Sequence, residues 1–360
     1  MYVNNLKLNN YRNYESLDIE FKKGINIIYG NNAQGKTNIL EAIYYCATAR
    51  SHRTNYDKDL ILWGQNEGHI NLEVQKKNNE IIDIHFRKSG KKGIAVNKYP
   101  IQKLNQLYGT LNVILFSPED LSLVKKGPSE RRKFIDIELC QIDKIYLYNL
   151  QQYHKVLKQR NNLLKAVAYG KGDKATIEIW DEQLITFGSK LIKARYDFIN
   201  ELKNYVMEIH EQITNGKEKL IIKYEKNCEE QYFSNLLKKN VDKDIKFGNT
   251  SIGPHRDDLA FRVNDIDLRT FGSQGQHRTA ALSLKLAEID LIKQKTNDLP
   301  VLLLDDVLSE LDDSRQKHLL STLENIQTIV TCTGVEDFIH KGMEVDRMIK
   351  ISSGVAEIVK

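Results

Sequence analysis

Apolar and polar positions follow three different rhythms along the chain. In the first, apolar residues return at every second position. Tyr2, Asn4, Leu6 and Leu8 lie on one face of a strand predicted over residues 2–8, and LDIEF at 17–21 is its hairpin partner. The same alternation runs from Gly68 to about Val96, broken by KKNNE and SGKKG, and predicts an antiparallel meander with turns rich in Lys, Asn and Gly. The second rhythm is helical and fills Ser117 to about Gly216. There Ser129, after the Gly127-Pro128 break, is placed to cap a helix with Arg131 and Arg132 in its first turns. A long helix is predicted over 141–169, its face carrying Ile145, Tyr148 and Leu157, and another from about Ala175 to His210. The third rhythm consists of short apolar runs of buried-strand type, at Ile25–Tyr29 and in VLLLDD at 301–306.

Between and after these blocks lie smaller elements. A strand is predicted at Leu220–Tyr224, a Lys-rich helix near 229–240, and a hairpin with Asn264-Asp265 at its turn. Ala280, Leu284, Ala287 and Leu291 lie at helical spacing, and Pro300 ends that helix. The chain closes with a strand (TIVTC), a helix, a strand (RMIKI) and a final hairpin strand.

The segment INIIYGNNAQGKTNILEA, from Ile25 to Ala42, gives the first chemistry: strand, tight loop, then a helix opening at Thr37. The loop fits G-x-x-x-x-G-K-[ST], the Walker A phosphate loop. Gly30 and Gly35 permit backbone angles and close approaches that a Cβ would block. The N–H groups of Gly30, Asn31, Asn32, Ala33, Gln34, Gly35, Lys36, Thr37 and Asn38 can then face phosphate oxygens at a helix N-terminus. Lys36 is expected to reach the β- and γ-phosphates, and the Thr37 hydroxyl to ligate Mg²⁺.

Composition adds little to this and excludes some classes. The 360 residues suffice for one large or two smaller domains, and the net charge of +5 is a mild basic excess compatible with nucleic acid or acidic partners. Four scattered cysteines, with no C-x-x-C pair, read as reduced thiols rather than a zinc site. The polar N-terminus and the absence of an apolar run of membrane-spanning length lead to the expectation of a soluble, cytoplasmic protein with no membrane partner.

VLLLDD is a second nucleotide signal. An apolar run ending in two acids delivers them to the carboxyl edge of a parallel sheet, and beside a phosphate loop it reads as a Walker B strand. Asp305 is expected in the Mg²⁺ shell and Asp306 as the base that polarises the attacking water. As many as 269 positions separate Lys36 from Asp305, so the nucleotide fold is split by what lies between. Ser273, Gln274, Gly275 and Gln276 open the helix that leads into Walker B, which is the order of signature loop and Walker B in ABC-type ATPases. Ser309-Glu310-Leu311-Asp312 resembles their D-loop.

LNNYRNY, YGNNAQGKTNILEAI, ARSHRT, FSPEDLSLVKKGPSERRKFID, IGPHRDD, GSQGQHR and LLLDDVLSELD together resemble the RecF family of SMC-related ATPases, over essentially the whole chain. The resemblance implies an α/β fold: an ABC-type P-loop ATPase head with an antiparallel β subdomain, plus a mostly α-helical second lobe. Residues 1–116 and 219–360 are expected to form the split ATPase lobe, and 117–218 the helical lobe. The resemblance further implies a homodimer closed by ATP, with Ser273 and the N–H groups after Gly275 of one subunit contacting the γ-phosphate held by the other. It implies double-stranded DNA near single-strand gaps, or single-strand/double-strand junctions, as ligand, and RecR, RecO and RecA as partners. Arg12 matches an Arg that contacts nucleotide phosphate in related heads, and equally fits a surface hairpin charge. Arg53 matches a basic loop that approaches nucleotide or DNA.

Two departures bear on mechanism. The base position holds Asp306 where ABC transporters usually have Glu, which suggests slow turnover. In place of the usual switch histidine, TIVTCTG offers Thr331 and Thr333. His255 and Arg256 are read as organising the loop or an interface, because no metal-ligand spacing accompanies them. Lys91-Lys92, Lys125-Lys126 and Arg131-Arg132 are candidate phosphate contacts or ordinary solvated charge. Two other readings compete with the ATP-switched DNA clamp: a transporter's nucleotide-binding subunit, and an ATP-stabilised scaffold.

Overall fold

The structure is a computed structural model and describes residues 1–120, 123–321, 323, 325–334 and 344–360. The helix expected between TIVTC and RMIKI and the Glu310 side chain lie outside the described residues, as do Leu121 and Ser122 of the FSPEDLSLVKK segment.

In chain order, β1 (Tyr2–Tyr11) and β2 (Tyr14–Glu20) form the first hairpin, and β3 (Ile25–Tyr29) leads through the phosphate loop into α1 (Lys36–Thr48). The meander follows as β4 (Glu67–Gln75), β5 (Asn79–Arg87), β6 (Gly93–Val96) and β7 (Tyr99–Pro100), then β8 (Val113–Phe116). The helical block comprises α2 (Pro128–Ile142), α3 (Lys144–Ala168) and α4 (Ile177–Thr214). After it come β9 (Leu220–Glu225), α5 (Phe233–Phe247), β10 (Asp258–Val263), β11 (Ile266–Asp267), the single turn α6 (Leu268–Phe271) and α7 (Gln274–Thr296). The chain ends with β12 (Val301–Asp305), α8 (Asp313–Ser321), β13 (Thr328–Cys332), β14 (Arg347–Ser352) and β15 (Val355–Ile358).

The chain divides into two compact units, Met1–Leu121 with Ala281–Lys360, and Ser122–Ala280. The first unit carries two six-stranded sheets. One is the meander, in the order β2-β1-β4-β5-β6-β7. The other has the order β15-β14-β3-β13-β12-β8, with β14, β3, β13, β12 and β8 parallel and β15 added antiparallel at the edge. Parallel strands place their carboxyl ends on one edge, so the loop after β3 and the acids after β12 come to the same edge, one strand apart. One buried cluster joins the inner face of the meander (Leu6, Leu72, Ile84), α1 (Ile39, Ile43) and the parallel sheet (Ile28, Leu303, Ile329). Lys92, from the β5–β6 turn, donates to the Ala49 carbonyl at 2.8 Å and to the Tyr45 hydroxyl, and pairs with Asp57 at 3.1 Å. The meander thereby satisfies the carboxyl end of α1, and burial holds the Lys92 pKa below its usual range. This ammonium is committed within the fold and is not a phosphate contact.

The second unit holds α2 to α6, the start of α7 and the three-stranded sheet β11-β10-β9. Residues 219–280 therefore cluster with the helices, whereas sequence reasoning put them in the ATPase lobe. The physical reason is that β9 and β10 pair only with each other and β11, not with the parallel sheet, and β9 packs on α4. Helix boundaries also differ. Gly127 is the N-cap of α2 with Pro128 in its first turn, so Ser129 lies inside the helix and does not cap it. Asp143 ends α2 and caps α3, accepting from the N–H groups of Ile145 and Tyr146. Ile145 and Tyr148 are exposed, because the buried stripe of α3 runs through Tyr146, Leu150, Tyr153 and Arg160 instead. The β10–β11 turn has Asn264 and Asp265 at φ 49° and 66°, the left-handed pair that a two-residue hairpin requires.

Arginines fill this unit's interior. Arg160 is fully buried, donating to Asp181 at 2.5 Å, Asp244 at 2.7 Å and Thr250 at 2.9 Å. Arg195, also buried, donates to Asp136 at 2.7 Å and to the Pro254 carbonyl at 2.7 Å. Removing one arginine strands carboxylates that burial has already desolvated. Arg160→Ala is therefore expected to lower unfolding free energy by about 3–5 kcal/mol, read from urea unfolding. A loss below about 1 kcal/mol would mean that Asp181 and Asp244 find other partners.

Candidate nucleotide site

The phosphate loop has the backbone its glycines anticipated. Gly30 has φ 149° and Gly35 φ 108°, and Ala33 is left-handed at φ 63°. A Cβ on Gly30 would collide with the Ile351 carbonyl, and one on Gly35 would come within 2.5 Å of Asn13 Nδ2 and 2.7 Å of the Tyr14 hydroxyl. No side chain caps α1 and no acidic residue lies in its first turn, so its N-terminal N–H groups keep their capacity to meet an anion. Lys36 folds back over the loop, its Nζ donating to the carbonyls of Gly30 at 2.8 Å and Asn31 at 2.9 Å.

At the same sheet edge Asp305 Oδ1 accepts from two hydroxyls, Thr37 Oγ1 at 2.9 Å and Thr331 Oγ1 at 2.8 Å. Thr331, at the end of β13, also accepts from the Asp306 N–H at 3.1 Å. Thr331 thus ties β13, the sheet neighbour of β3, to both Asp305 and Asp306. Asp306 itself has φ 55°, a left-handed conformation uncommon for a non-glycine residue, and turns the chain away from the strand direction. Thr37 and Asp305 together present oxygen donors of the kind a hard divalent cation takes.

A ring of polar residues props the loop from behind. Asn13 Nδ2 donates to the Gln34 carbonyl at 3.0 Å, and Asn13 Oδ1 accepts from Asn38 at 2.8 Å. Gln34 Oε1 accepts the Ser353 N–H from the β14–β15 turn. Arg53 donates to Asn38 Oδ1 at 2.7 Å. Arg12 makes a bidentate pair with the buried Glu41 of α1, at 2.8 and 2.6 Å, and its third nitrogen donates to the Asp59 carbonyl at 3.0 Å. Burial pushes the Glu41 carboxyl up, but hydrogen bonds from Arg12 and Ser51 and the Arg12 charge outweigh it and hold the carboxyl below its usual range. Asn13 and Glu41 escaped sequence reasoning. Asn13 stands beside Arg12, and Glu41 inside NILEA, yet neither belongs to a phosphate-loop pattern.

The signature residues lie in the second unit. Ser273 Oγ accepts from the Gln276 N–H at 3.2 Å, and Gln276 Oε1 accepts from the Ser273 N–H at 3.0 Å, a reciprocal capping box at the start of α7. Ser273 and Gln274 are exposed, and Gly275 and Gln276 half-buried. Gly272 has no room for a Cβ, because the Leu268 carbonyl and His277 Nε2 would lie 2.5 and 2.7 Å from it.

In this unit two of the quoted motifs grip each other. Arg131 of GPSERR, almost fully buried, binds Asp258 of GPHRDD through two nitrogens at 2.6 and 2.9 Å. Arg132 donates to the Asp257 carbonyl at 2.7 Å. Arg131 is therefore not available to nucleic acid. His255 Nε2 donates to the Thr250 carbonyl at 2.9 Å, so Nδ1 accepts from the Tyr153 hydroxyl at 2.7 Å. Burial lowers its pKa to about 4, leaving a neutral ring that organises the loop.

No helix of the described residues is long and apolar enough to cross a membrane. The family model for the RecF/RecN/SMC N-terminal domain matches residues 2–357. The chain is 51% identical to the DNA replication and repair protein RecF of Agathobacter rectalis, covering 100% of this chain and 99% of the relative. It is 48% identical to the protein of the same description from Clostridium acetobutylicum, covering 98% and 99%. Among solved structures it is similar to the recombination mediator protein RecF-ATP of the RecFOR pathway, with TM-score 0.93 and 36% identity over 100% of this chain and 98% of that one. An Smc head domain from Pyrococcus furiosus shares the fold at TM-score 0.56 and 18% identity, covering 99% and 96%. With ABC-type phosphate-loop, signature and Walker B elements in one α/β chain and this likeness along its whole length, the chain belongs to the RecF family.

Proposed function

We propose that this chain is an ATP-switched DNA-binding protein of DNA replication and recombinational repair, acting in the cytoplasm. The observation that carries the nucleotide reading is the Thr37–Asp305 hydrogen bond of 2.9 Å beside Lys36, which joins both Walker motifs at one sheet edge. ATP binds along the loop from Gly30 to Asn38, with Mg²⁺ taken by Thr37 and Asp305. Lys36 exchanges its two loop carbonyls for phosphate oxygens. Arg12 keeps Glu41 through two nitrogens and offers the third, now on Asp59, to the nucleotide. Asp306 polarises the attacking water. Its short side chain is consistent with a weak, DNA-dependent ATPase that serves as a conformational switch.

Ser273 and Gln274, exposed on a preformed helix start, support a homodimer in which the signature loop of one copy closes on the nucleotide of the other. The closed dimer holds double-stranded DNA near single-strand gaps and works with RecR and RecO to help RecA load. The curated relatives' description as DNA replication and repair proteins, and the RecFOR pathway named for a solved neighbour, support this assignment.

Three outcomes test it. Sedimentation with ATP is expected to give a dimer that Ser273→Arg weakens by roughly 30-fold or more, since the larger side chain must enter a closed interface. Equal dimerisation of this variant would end the sandwich reading. Asp306→Asn is expected to cut hydrolysis by about two orders of magnitude and to trap the ATP-bound dimer. Unchanged turnover would remove Asp306 from the base role. Retention on duplex DNA beads is expected to require ATP and to be lost in Lys36→Met, whereas ATP-independent retention would favour a scaffold.

A further inference from the structure

The capping box at the head of α7 is steered from outside the helix. Gln276 uses its amide oxygen on the Ser273 N–H, so its amide nitrogen must point the other way. There it donates to Glu218 Oε1 at 2.9 Å. The second carboxylate oxygen, Oε2, faces Nε2 of His210 at 3.3 Å, and His210 is fully buried near the end of α4. The turn that carries Glu218 is fixed as well. Asn215 and Gly216 are left-handed, the Gly216 N–H donates to the Glu211 carbonyl at 2.8 Å, and the Lys217 N–H donates to the Thr214 carbonyl at 3.2 Å.

An amide side chain can be turned end for end at little cost unless its surroundings choose. A carboxylate accepts only, and a backbone N–H donates only. Turned over, Gln276 would set its carbonyl against the Glu218 carboxylate and its NH₂ against the Ser273 N–H, two repulsions in place of two hydrogen bonds. Glu218 therefore selects the amide orientation that completes the cap. The cap in turn occupies the Ser273 hydroxyl as an acceptor, toward the Gln276 N–H, and keeps its proton for an outward acceptor.

We propose that Glu218, held against His210, is a positioning residue for the signature loop: through Gln276 it sets the Ser273 hydroxyl and the first N–H groups of α7 in the geometry that meets a phosphate oxygen from a second copy of this chain. This rests on the dimer reading above. Glu218 touches no reacting atom. Its effect reaches the interface through one amide, and this separates it from a residue that merely stabilises the unit.

The test is a double-mutant cycle on the full chain, read by sedimentation at saturating ATP, with melting temperature and monomer ATP affinity measured alongside. Glu218→Ala is expected to weaken dimerisation about tenfold, the worth of one charge-assisted hydrogen bond, with monomer ATP affinity within about twofold of wild type. Gln276→Ala is expected to weaken it similarly, and the double variant no further, because both remove the same orientation of Ser273. Glu218→Gln, whose carbonyl can accept the same hydrogen bond but whose NH₂ can also meet a turned-over Gln276, is expected to lose about threefold, between wild type and Glu218→Ala. Additive losses in the double variant would overturn the proposal. So would unchanged dimerisation of Glu218→Ala when Ser273→Arg abolishes it. If Ser273→Arg also dimerises normally, the dimer reading itself falls and takes this inference with it.

Discussion

A single carboxylate oxygen organises the nucleotide edge. Asp305 Oδ1 collects hydroxyls from Thr37, which follows β3, and from Thr331, the last but one residue of β13, while its own backbone ends β12. Three neighbouring parallel strands are thereby brought to one point. The phosphate loop cannot drift along the edge without breaking a hydrogen bond to a buried acceptor, a loss of about 1–3 kcal/mol. The ring formed by Asn13, Gln34, Asn38 and Ser353 works the same way from behind the loop. Preorganisation of this kind means that a bound phosphate meets N–H groups already aimed, with little ordering left to do.

The second unit is built on a different economy. Its interior is crossed by arginines, Arg131, Arg160 and Arg195, each paired with carboxylates from distant stretches of chain. Such pairs contribute less to net stability than apolar packing of equal volume would, because desolvation offsets the attraction. They are, however, intolerant of misalignment. Arg131 matched with Asp258 fixes α2 against β10, and Arg160 matched with Asp181 and Asp244 fixes α3 against α4 and α5. The unit that presents the signature loop is thus tied in one arrangement by directional bonds.

Most of the fold was legible because its signals are local. The apolar run at Ile25–Tyr29 and the TIVTC run match β3 and β13 residue for residue, and Asn264-Asp265 gave the β10–β11 turn. The motif residues Lys36, Thr37 and Asp305 lie together as their spacing implied. What failed depended on long-range choices. The buried stripe of α3 contains Arg160, a residue that hydropathy places outside, so the face assigned through Ile145 and Tyr148 was the wrong one. Residues 219–280 carry strand signals like those of the ATPase lobe, yet β9 and β10 choose each other. Arg131 reads as surface charge until Asp258, more than a hundred positions later, is seen to hold it. No periodicity records such a pairing.

The order of the parallel sheet has a consequence for how the protein comes into being. β3, which carries the phosphate loop, lies between β13 and β14, so both of its sheet neighbours come from the end of the chain. From Tyr29 to Thr328 is 299 positions, which a ribosome crosses in roughly 15–60 s at bacterial rates. Throughout that time the phosphate loop exists without β13, β14 and Thr331, and for all but the last 23 positions without Asp305. A nascent chain therefore carries its phosphate loop without the sheet neighbours of β3, and the last strands to emerge frame the first motif made.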